Sequence, residues 1–232
     1  MSAFVSAIIV AAGGSTRMGT PDSKQFIALS GKTVIERTLT TFQHCGLIKE
    51  IVVVCREQDC ERIREIAGKN AFSKVSAVVK GGDSRAHSVK NGISAANPRA
   101  EYYAIHDGAR PLVTVEEIER VVEAAFDTGA ATLGTTVTDT IKIVDKNDII
   151  ENTPLRSQLR AVQTPQVFEA ELYSFALEGA DKLDGFTDDC SLIEKMGGEV
   201  KIVDGSKENI KLTTPVDIII AESIIHARGE DK

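Results

Sequence analysis

The residues most able to do chemistry are crowded into AAGGSTRMGTPDSKQF at 11–26, directly after the apolar run VSAIIV at 5–10. Ala11, Ala12, Gly13, Gly14 and Ser15 leave the start of this loop almost without side chains, so its backbone can approach a ligand closely. The N–H groups of such a loop can surround phosphate oxygens. Arg17 and Lys24 add two fixed cations where phosphate charge would sit. The commoner phosphate loops do not fit. GxxxxGK[ST] fails because Lys24 is followed by Gln25, and GxGxxG fails because Ser15 and Met18 stand where its later glycines belong. On the glycines alone an ordinary βα turn is the plainer reading. The small-residue run followed by Arg17 and Lys24 favours a nucleoside triphosphate site.

Three further segments hold polar groups of interest. GGDSRAHSVKNG at 81–92 reads by spacing as a turn and a helix capped by Asp83 or Ser84. Within it, Arg85 either orders the loop or touches phosphate. HDGARP at 106–111 ends an apolar strand. Its Asp107 suits a metal neighbourhood or a substrate hydroxyl, and equally one half of a buried ion pair with Arg110. Thr187-Asp188-Asp189 offers two adjacent carboxylates, but acids are also favoured in the first turn of a helix. We read it as a helix start that leaves Thr187 near substrate.

Together these segments resemble the signatures of the sugar-nucleotide transferase superfamily and, within it, the 2-C-methyl-D-erythritol 4-phosphate cytidylyltransferase family. The superfamily's loop is commonly AAGxGxRM…PKQ. The other matching segments are GGDSRAHSVKNG, HDGARP, QTPQVF at 163–168 with TDD at 187–189, and NIKLTTPVD at 209–217. They keep the family's order and span nearly the whole chain. Three departures stand out: Ser15 replaces a loop glycine, Ser23 replaces the Pro before the Lys, and HDGARP replaces HDAARP.

The resemblance implies coupling of CTP with 2-C-methyl-D-erythritol 4-phosphate in non-mevalonate isoprenoid synthesis, with release of pyrophosphate. A phosphate oxygen is already deprotonated at neutral pH, so such a step needs placement and charge neutralisation rather than a general base. By the same resemblance, Arg17 and Lys24 are the catalytic pair. Ala11, Ala12, Gly13, Gly14, Ser15, Gly82, Asp83, Ser88 and Gly108 hold the nucleotide. Arg156, Lys211, Thr140, Asp107 and Thr187 position the sugar-alcohol phosphate. Arg160 competes with Arg156, which is preferred because it lies eight residues before Thr164-Pro165-Gln166, as in the family. A Mg²⁺ ion, or another divalent cation, is expected on triphosphate oxygens with Asp107 close by; its protein ligands stay unassigned.

These residues need a scaffold. Apolar runs at 5–10, 51–55, 75–79 and 102–105 read as buried strands, and 33–45, 57–68 and 84–96 as the helices between them. TVEEIERVVEAAFDTG at 114–129 is the clearest helix, with Thr114 and Glu117 as a capping box and Gly129 as its end. The alternation predicts an α/β, Rossmann-like, three-layer fold: a mostly parallel twisted sheet with helices on both faces. Ligands in such folds sit beyond the carboxyl ends of the strands, so the 11–26 and 106–111 segments should share one rim. The stretch 137–152 reads as a hairpin too thin to bury much alone. The resemblance makes it part of a protruding arm, about 137–157, that embraces a second subunit of a homodimer. Beyond it, 169–183 and 187–196 read as helices, 199–203 as a strand and 215–227 as a closing helix begun by Pro215.

The chain has 232 residues, 42% of them hydrophobic, which suits one nucleotidyltransferase domain over 1–232. A formal net charge of −7 disfavours a nucleic-acid partner. No leader-like or membrane-spanning run is evident, and Cys45, Cys55, Cys60 and Cys190 form no CxxC pair, so a cytoplasmic protein with reduced thiols is expected. Three rival readings compete with this one. A ribitol-5-phosphate cytidylyltransferase shares the chemistry, and SVKNG, TDDCSLIE and HDGARP look less like it. An NAD-dependent oxidoreductase needs a proper glycine fingerprint, which is missing. A nucleotide-binding regulator without activity sits poorly with Arg17, Lys24, Arg156 and Lys211 all present.

Overall fold

The computed structural model describes residues 3–14, 23–179 and 186–230. In chain order the first half contains β1 (Val5–Ala11), β2 (Ala28–Leu29), β3 (Lys32–Thr33), α1 (Val34–His44), β4 (Ile48–Cys55), α2 (Cys60–Lys69), β5 (Val75–Lys80), α3 (Arg85–Ser94) and β6 (Tyr102–Asp107). The second half contains α4 (Val115–Thr128), β7 (Ala130–Thr136), β8 (Ile143–Val144), β9 (Ile150–Asn152), β10 (Arg160–Glu169), α5 (Ala170–Gly179), α6 (Cys190–Lys195), β11 (Lys201–Asp204) and α7 (Pro215–Ala227). Among the described residues, seven strands form one sheet in the order β11-β7-β10-β6-β1-β4-β5.

β1 lies mid-sheet and pairs parallel with both β4 and β6. Buried on both sides, it has apolar residues at nearly every position. Val5, Ala7, Ile9 and Ala11 face the layer of α1, α2 and α4, where Phe42, Ile63 and Val121 pack. Ile8 faces the opposite layer, with Val89 of α3, Tyr173 of α5 and Ile193 of α6. A third, smaller cluster seats Ala221 and Ile225 of α7 on Leu29, Val34 and Leu112. Each fully buried branched side chain stabilises the fold by roughly 1.5–3 kcal/mol. Gly92 sits mid-helix in α3 because a Cβ there would come within 2.5 Å of Ile8 and 2.7 Å of Val54. The glycine lets α3 lie close on the sheet, bringing its N-terminus to the strand ends.

The local signals act as read. Thr114 and Glu117 form the capping box of α4, and Gly129 closes it in the left-handed region at φ 78°. Ser84, rather than Asp83, caps α3 by accepting from the His87 N–H. α7 opens on Pro215. The helix expected from 57 begins as a 3₁₀ turn at Glu57–Asp59 and becomes α-helical at Cys60. α5 spans Ala170–Gly179; the rest of its expected span, 180–183, lies outside the described residues. The four cysteines are free and buried.

Besides the short β2–β3 hairpin, two strands of the main sheet were not read from the sequence. β7 is built largely of Ala, Thr and Gly, which give weak strand signals. β10 carries Pro165 and buries Gln163, Thr164 and Gln166 inside the sheet. It runs antiparallel to both β6 and β7, so the sheet is mostly parallel with one reversed strand. Its register against β7 shifts between Val162 and Gln166, where the proline removes a ladder donor. The polar residues of β10 bond outward from the sheet: the Gln166 carboxamide oxygen accepts from the Asp189 and Cys190 N–H groups and fixes the start of α6.

Candidate active site

The carboxyl ends of β1 and β6 and the N-terminus of α3 enclose a cavity of about 380 Å³. Of the expected nucleotide residues, Ala12, Gly13, Gly14, Gly82, Asp83 and Ser88 line it together, with Lys24 opposite. Ala11 is buried at the end of β1 behind them. Gly108 stands behind the lining beside Ala11, where a Cβ would lie 3.2 Å from Ala11 Cβ and 3.3 Å from Gln25 Oε1. Gly81 brings the second loop against the first: a Cβ there would lie 2.5 Å from Ala12 Cβ and 2.9 Å from Ser88 Oγ. Ser88 is engaged within the loop, accepting from the Gly82 N–H at 3.1 Å and donating to Ser84 O at 3.0 Å. Its hydroxyl therefore shapes the Gly82 turn. Lys24 opens a short 3₁₀ turn, and its ammonium donates to Leu212 O at 3.0 Å. Arg17 and Ser15 lie outside the described residues.

A second cavity of about 370 Å³ adjoins the first and shares Arg85, Asp107 and Lys211 with it. Arg110, Thr164 and Thr187 line its remaining walls. Asp107 is the hinge of the two. Lys211 Nζ lies 2.8 Å from Asp107 Oδ2, Arg85 Nε 3.4 Å from Oδ1, and Arg110 Nε 3.9 Å from Oδ2. The expected Asp107–Arg110 pair is thus the loosest of three, and Lys211 is the close partner. Burial alone would raise the Asp107 carboxyl, but Lys211 and Arg85 outweigh it and hold the group well below the usual carboxylate range.

Arg85, left open between two roles in the sequence, bridges Asp107 and Asp189, with NH1 2.7 Å from Asp189 Oδ2. Asp189 is fully enclosed and also accepts from the Tyr173 hydroxyl at 2.7 Å. Burial pushes its carboxyl up despite Arg85 and Tyr173. The 187–189 segment is a helix start: the Asp188 carboxylate accepts from the Ser191 N–H in the first turn of α6. Arg85 and Gln166 tie that start to the rim, and this leaves Thr187 on the wall of the second cavity.

A third cavity of about 420 Å³ runs from Arg110 and Lys211 to Thr138 and Asp139 at the root of the arm. Arg156 and Thr140 are exposed and line none of the three cavities. Arg156 donates to Thr138 O at 2.9 Å. Sequence reasoning passed over Gln25 and Thr213, which line the first cavity, and gave Arg110 and Thr164 no substrate role. Gln25 was within reach as the residue after Lys24. Thr164 could not be singled out without knowing that β10 reverses beside β6.

Among the described residues no group of three His, Cys, Asp or Glu is placed to hold a metal ion. Two separated carboxylates, Asp83 and Asp107, line the first cavity, and so small a set fits an ion carried chiefly by phosphate oxygens.

A model of the 2-C-methyl-D-erythritol 4-phosphate cytidylyltransferase (IspD) family matches residues 5–227. The chain is 46% identical to such a cytidylyltransferase of Caldanaerobacter subterraneus subsp. tengcongensis, over 94% of this chain and 97% of that protein. It is 41% identical to one from Alkaliphilus metalliredigens, over 97% and 95%. The fold superposes on the crystal structure of 4-diphosphocytidyl-2C-methyl-D-erythritol synthase from Anaerococcus prevotii with a TM-score of 0.85, at 33% identity and 97% coverage of each chain. With matches running almost end to end, the chain belongs to the 2-C-methyl-D-erythritol 4-phosphate cytidylyltransferase family.

Proposed function

We propose that this chain couples CTP to 2-C-methyl-D-erythritol 4-phosphate, forming the cytidine diphosphate sugar alcohol and pyrophosphate in isoprenoid precursor synthesis. The observation that carries the reading is the pair of cavities sharing Asp107, Arg85 and Lys211, with Lys24 on one side and Arg110 and Thr187 on the other. A nucleotide in the first cavity would lay its triphosphate along the 11–14 backbone, with Lys24 and Arg17 on the developing charge. The Gly82–Ser88 loop would meet the base with backbone groups and Asp83. Cytosine presents an amino donor beside acceptors, which such a mixed surface can read. The sugar-alcohol phosphate would enter the second cavity, where Lys211 and Arg110 neutralise its phosphate and Thr187 meets a hydroxyl.

The attacking group is a phosphate oxygen, so the residues orient and neutralise rather than abstract a proton. Mg²⁺, when bound, would supply charge neutralisation on the triphosphate, with Asp107 the carboxylate that would help hold it. Asp107 also fixes Lys211 between the cavities.

We read the chain as one nucleotidyltransferase domain over 1–232, with an arm at about 137–157 that joins a second copy into a homodimer. Exposed Ile149, Ile150 and Leu155 on the arm support this, at 64%, 58% and 67%. In that arrangement Thr140 and Arg156 serve the neighbour's site, which accounts for their distance from the cavities of their own chain. A cytoplasmic location accords with four free thiols and, among the described residues, no helix long and apolar enough to cross a membrane. The acidic composition disfavours a nucleic-acid partner.

The test is pyrophosphate release with Mg²⁺ and 2-C-methyl-D-erythritol 4-phosphate, offered in turn with CTP, UTP, ATP and GTP. Release with CTP far above the other three is expected. Equal release with all four, or release only when ribitol 5-phosphate replaces the substrate, would contradict the reading.

A further inference from the structure

His106 is wholly buried, yet every hydrogen-bonding atom of its ring is engaged. Nε2 lies 3.1 Å from Arg110 O, and Nδ1 lies 3.0 Å from Thr164 Oγ1. The same Thr164 oxygen accepts from the Asp107 N–H at 3.1 Å. A carbonyl oxygen only accepts, so the Nε2 contact is a hydrogen bond only when Nε2 carries a proton. A neutral imidazole carries one proton, which leaves Nδ1 bare. Thr164 must then donate its hydroxyl hydrogen to Nδ1. The direction of the whole chain follows: Asp107 N–H to Thr164, Thr164 O–H to Nδ1, and Nε2–H to the Arg110 carbonyl.

We infer that His106, with its single proton on Nε2, is a positioning residue that clamps the Asp107–Arg110 turn to Thr164 of β10 and so aims Asp107 and Arg110 into the cavities. This rests on the activity proposed above. The ring cannot touch substrate, since it packs against Phe42 with centroids 4.9 Å apart, on the helix-layer side of β6. Its reach is nevertheless wide. Arg110 N donates to Asp107 O at 2.9 Å and closes the turn that the ring spans. Asn209 Nδ2 donates to Thr164 O at 3.0 Å, and Arg110 NH1 donates to Asn209 O at 2.7 Å. The clamp therefore also holds the segment that delivers Lys211. Burial lowers the imidazole to about 4, which keeps the ring neutral across the physiological range.

Two measurements test the assignment. Ring-nitrogen NMR on ¹⁵N-labelled protein, with the His106 signals assigned by their loss in His106→Gln, should show a bare Nδ1 and a protonated Nε2 from pH 7 down to about pH 5. A proton on Nδ1, or a doubly protonated ring at pH 7, would overturn it. In turnover assays, Thr164→Val should lower kcat/KM by about 10- to 100-fold, the scale of a small misplacement of reacting groups. The loss should fall on kcat and on KM for the sugar-alcohol phosphate, with Tm near that of the parent protein, and Thr164→Ser should recover most of it. A folded Thr164→Val protein with parental kcat and KM would contradict the clamp. A parent protein that releases no pyrophosphate would instead count against the proposed activity, and the ring-nitrogen spectrum would still decide the clamp.

Discussion

The strand-end cavities and the arm are opposite solutions to placing a charged side chain. At the strand ends Arg85, Asp107, Asp189 and Lys211 interlock at 2.7–3.4 Å with both carboxylates buried. Their positions are set within one chain before any ligand arrives. On the arm, Arg156 is exposed and leans on a backbone carbonyl, among apolar side chains left exposed among the described residues. The first region is preorganised by burial, which makes each charge-assisted contact strong and each loss costly. The second has the composition of a surface completed by another molecule. In the proposed homodimer, the difference would separate residues that act at home from those that act on a neighbour.

The sharpest way to break this comparison is at Lys24. Lys24→Ala should leave the fold intact, with Tm almost unchanged, and lower turnover on the order of 100-fold or more, as expected for loss of one preorganised charge donor. Near-parental turnover would remove Lys24 from the catalytic role. The arm is tested by complementation. Lys24→Ala and Arg156→Ala chains, each nearly inactive alone, should regain about a quarter of parental activity when mixed and re-equilibrated, because half the dimers carry one intact site of two. An inactive mixture shown to exchange subunits would argue that the arm serves its own chain.

A smaller effect sharpens the first half of the comparison. Because the folded-state Asp107 carboxyl is depressed, its stabilising contribution is present above the ordinary carboxylate value of about 4 and is lost as pH falls below it. Denaturant titrations from pH 7 to pH 3 should therefore show the parent protein losing stability with acid, and Asp107→Asn losing less. Identical pH slopes for the two would mean that the Lys211 and Arg85 pairs are not formed in solution.

Much of this was legible in the sequence because the signals were local. Apolar runs gave β1, β4 and β6, buried on both faces, and the edge strand β5, and the Thr114–Glu117 capping box and Gly129 fixed both ends of α4. The small-residue loop and HDGARP, far apart in the chain, were placed on one rim by the rule for parallel sheets, and residues of both line one cavity. What stayed hidden was non-local. Pro165 and three buried polar residues disguise β10, whose value lies in what it bonds to on either side. Arg85 could not be assigned because its second carboxylate, Asp189, is 104 positions away and becomes a partner only once Gln166 anchors α6. His106 showed as a motif letter, while its function depends on Thr164 across the reversed strand.

The most direct test of the central claim is a crystal structure with CTP and Mg²⁺ bound. The cytosine should lie against Gly82–Ser88, the triphosphate should follow the 11–14 backbone, and Lys24 should contact a phosphate oxygen. A nucleotide bound elsewhere, or bound there with Lys24 turned away from its phosphates, would contradict the account.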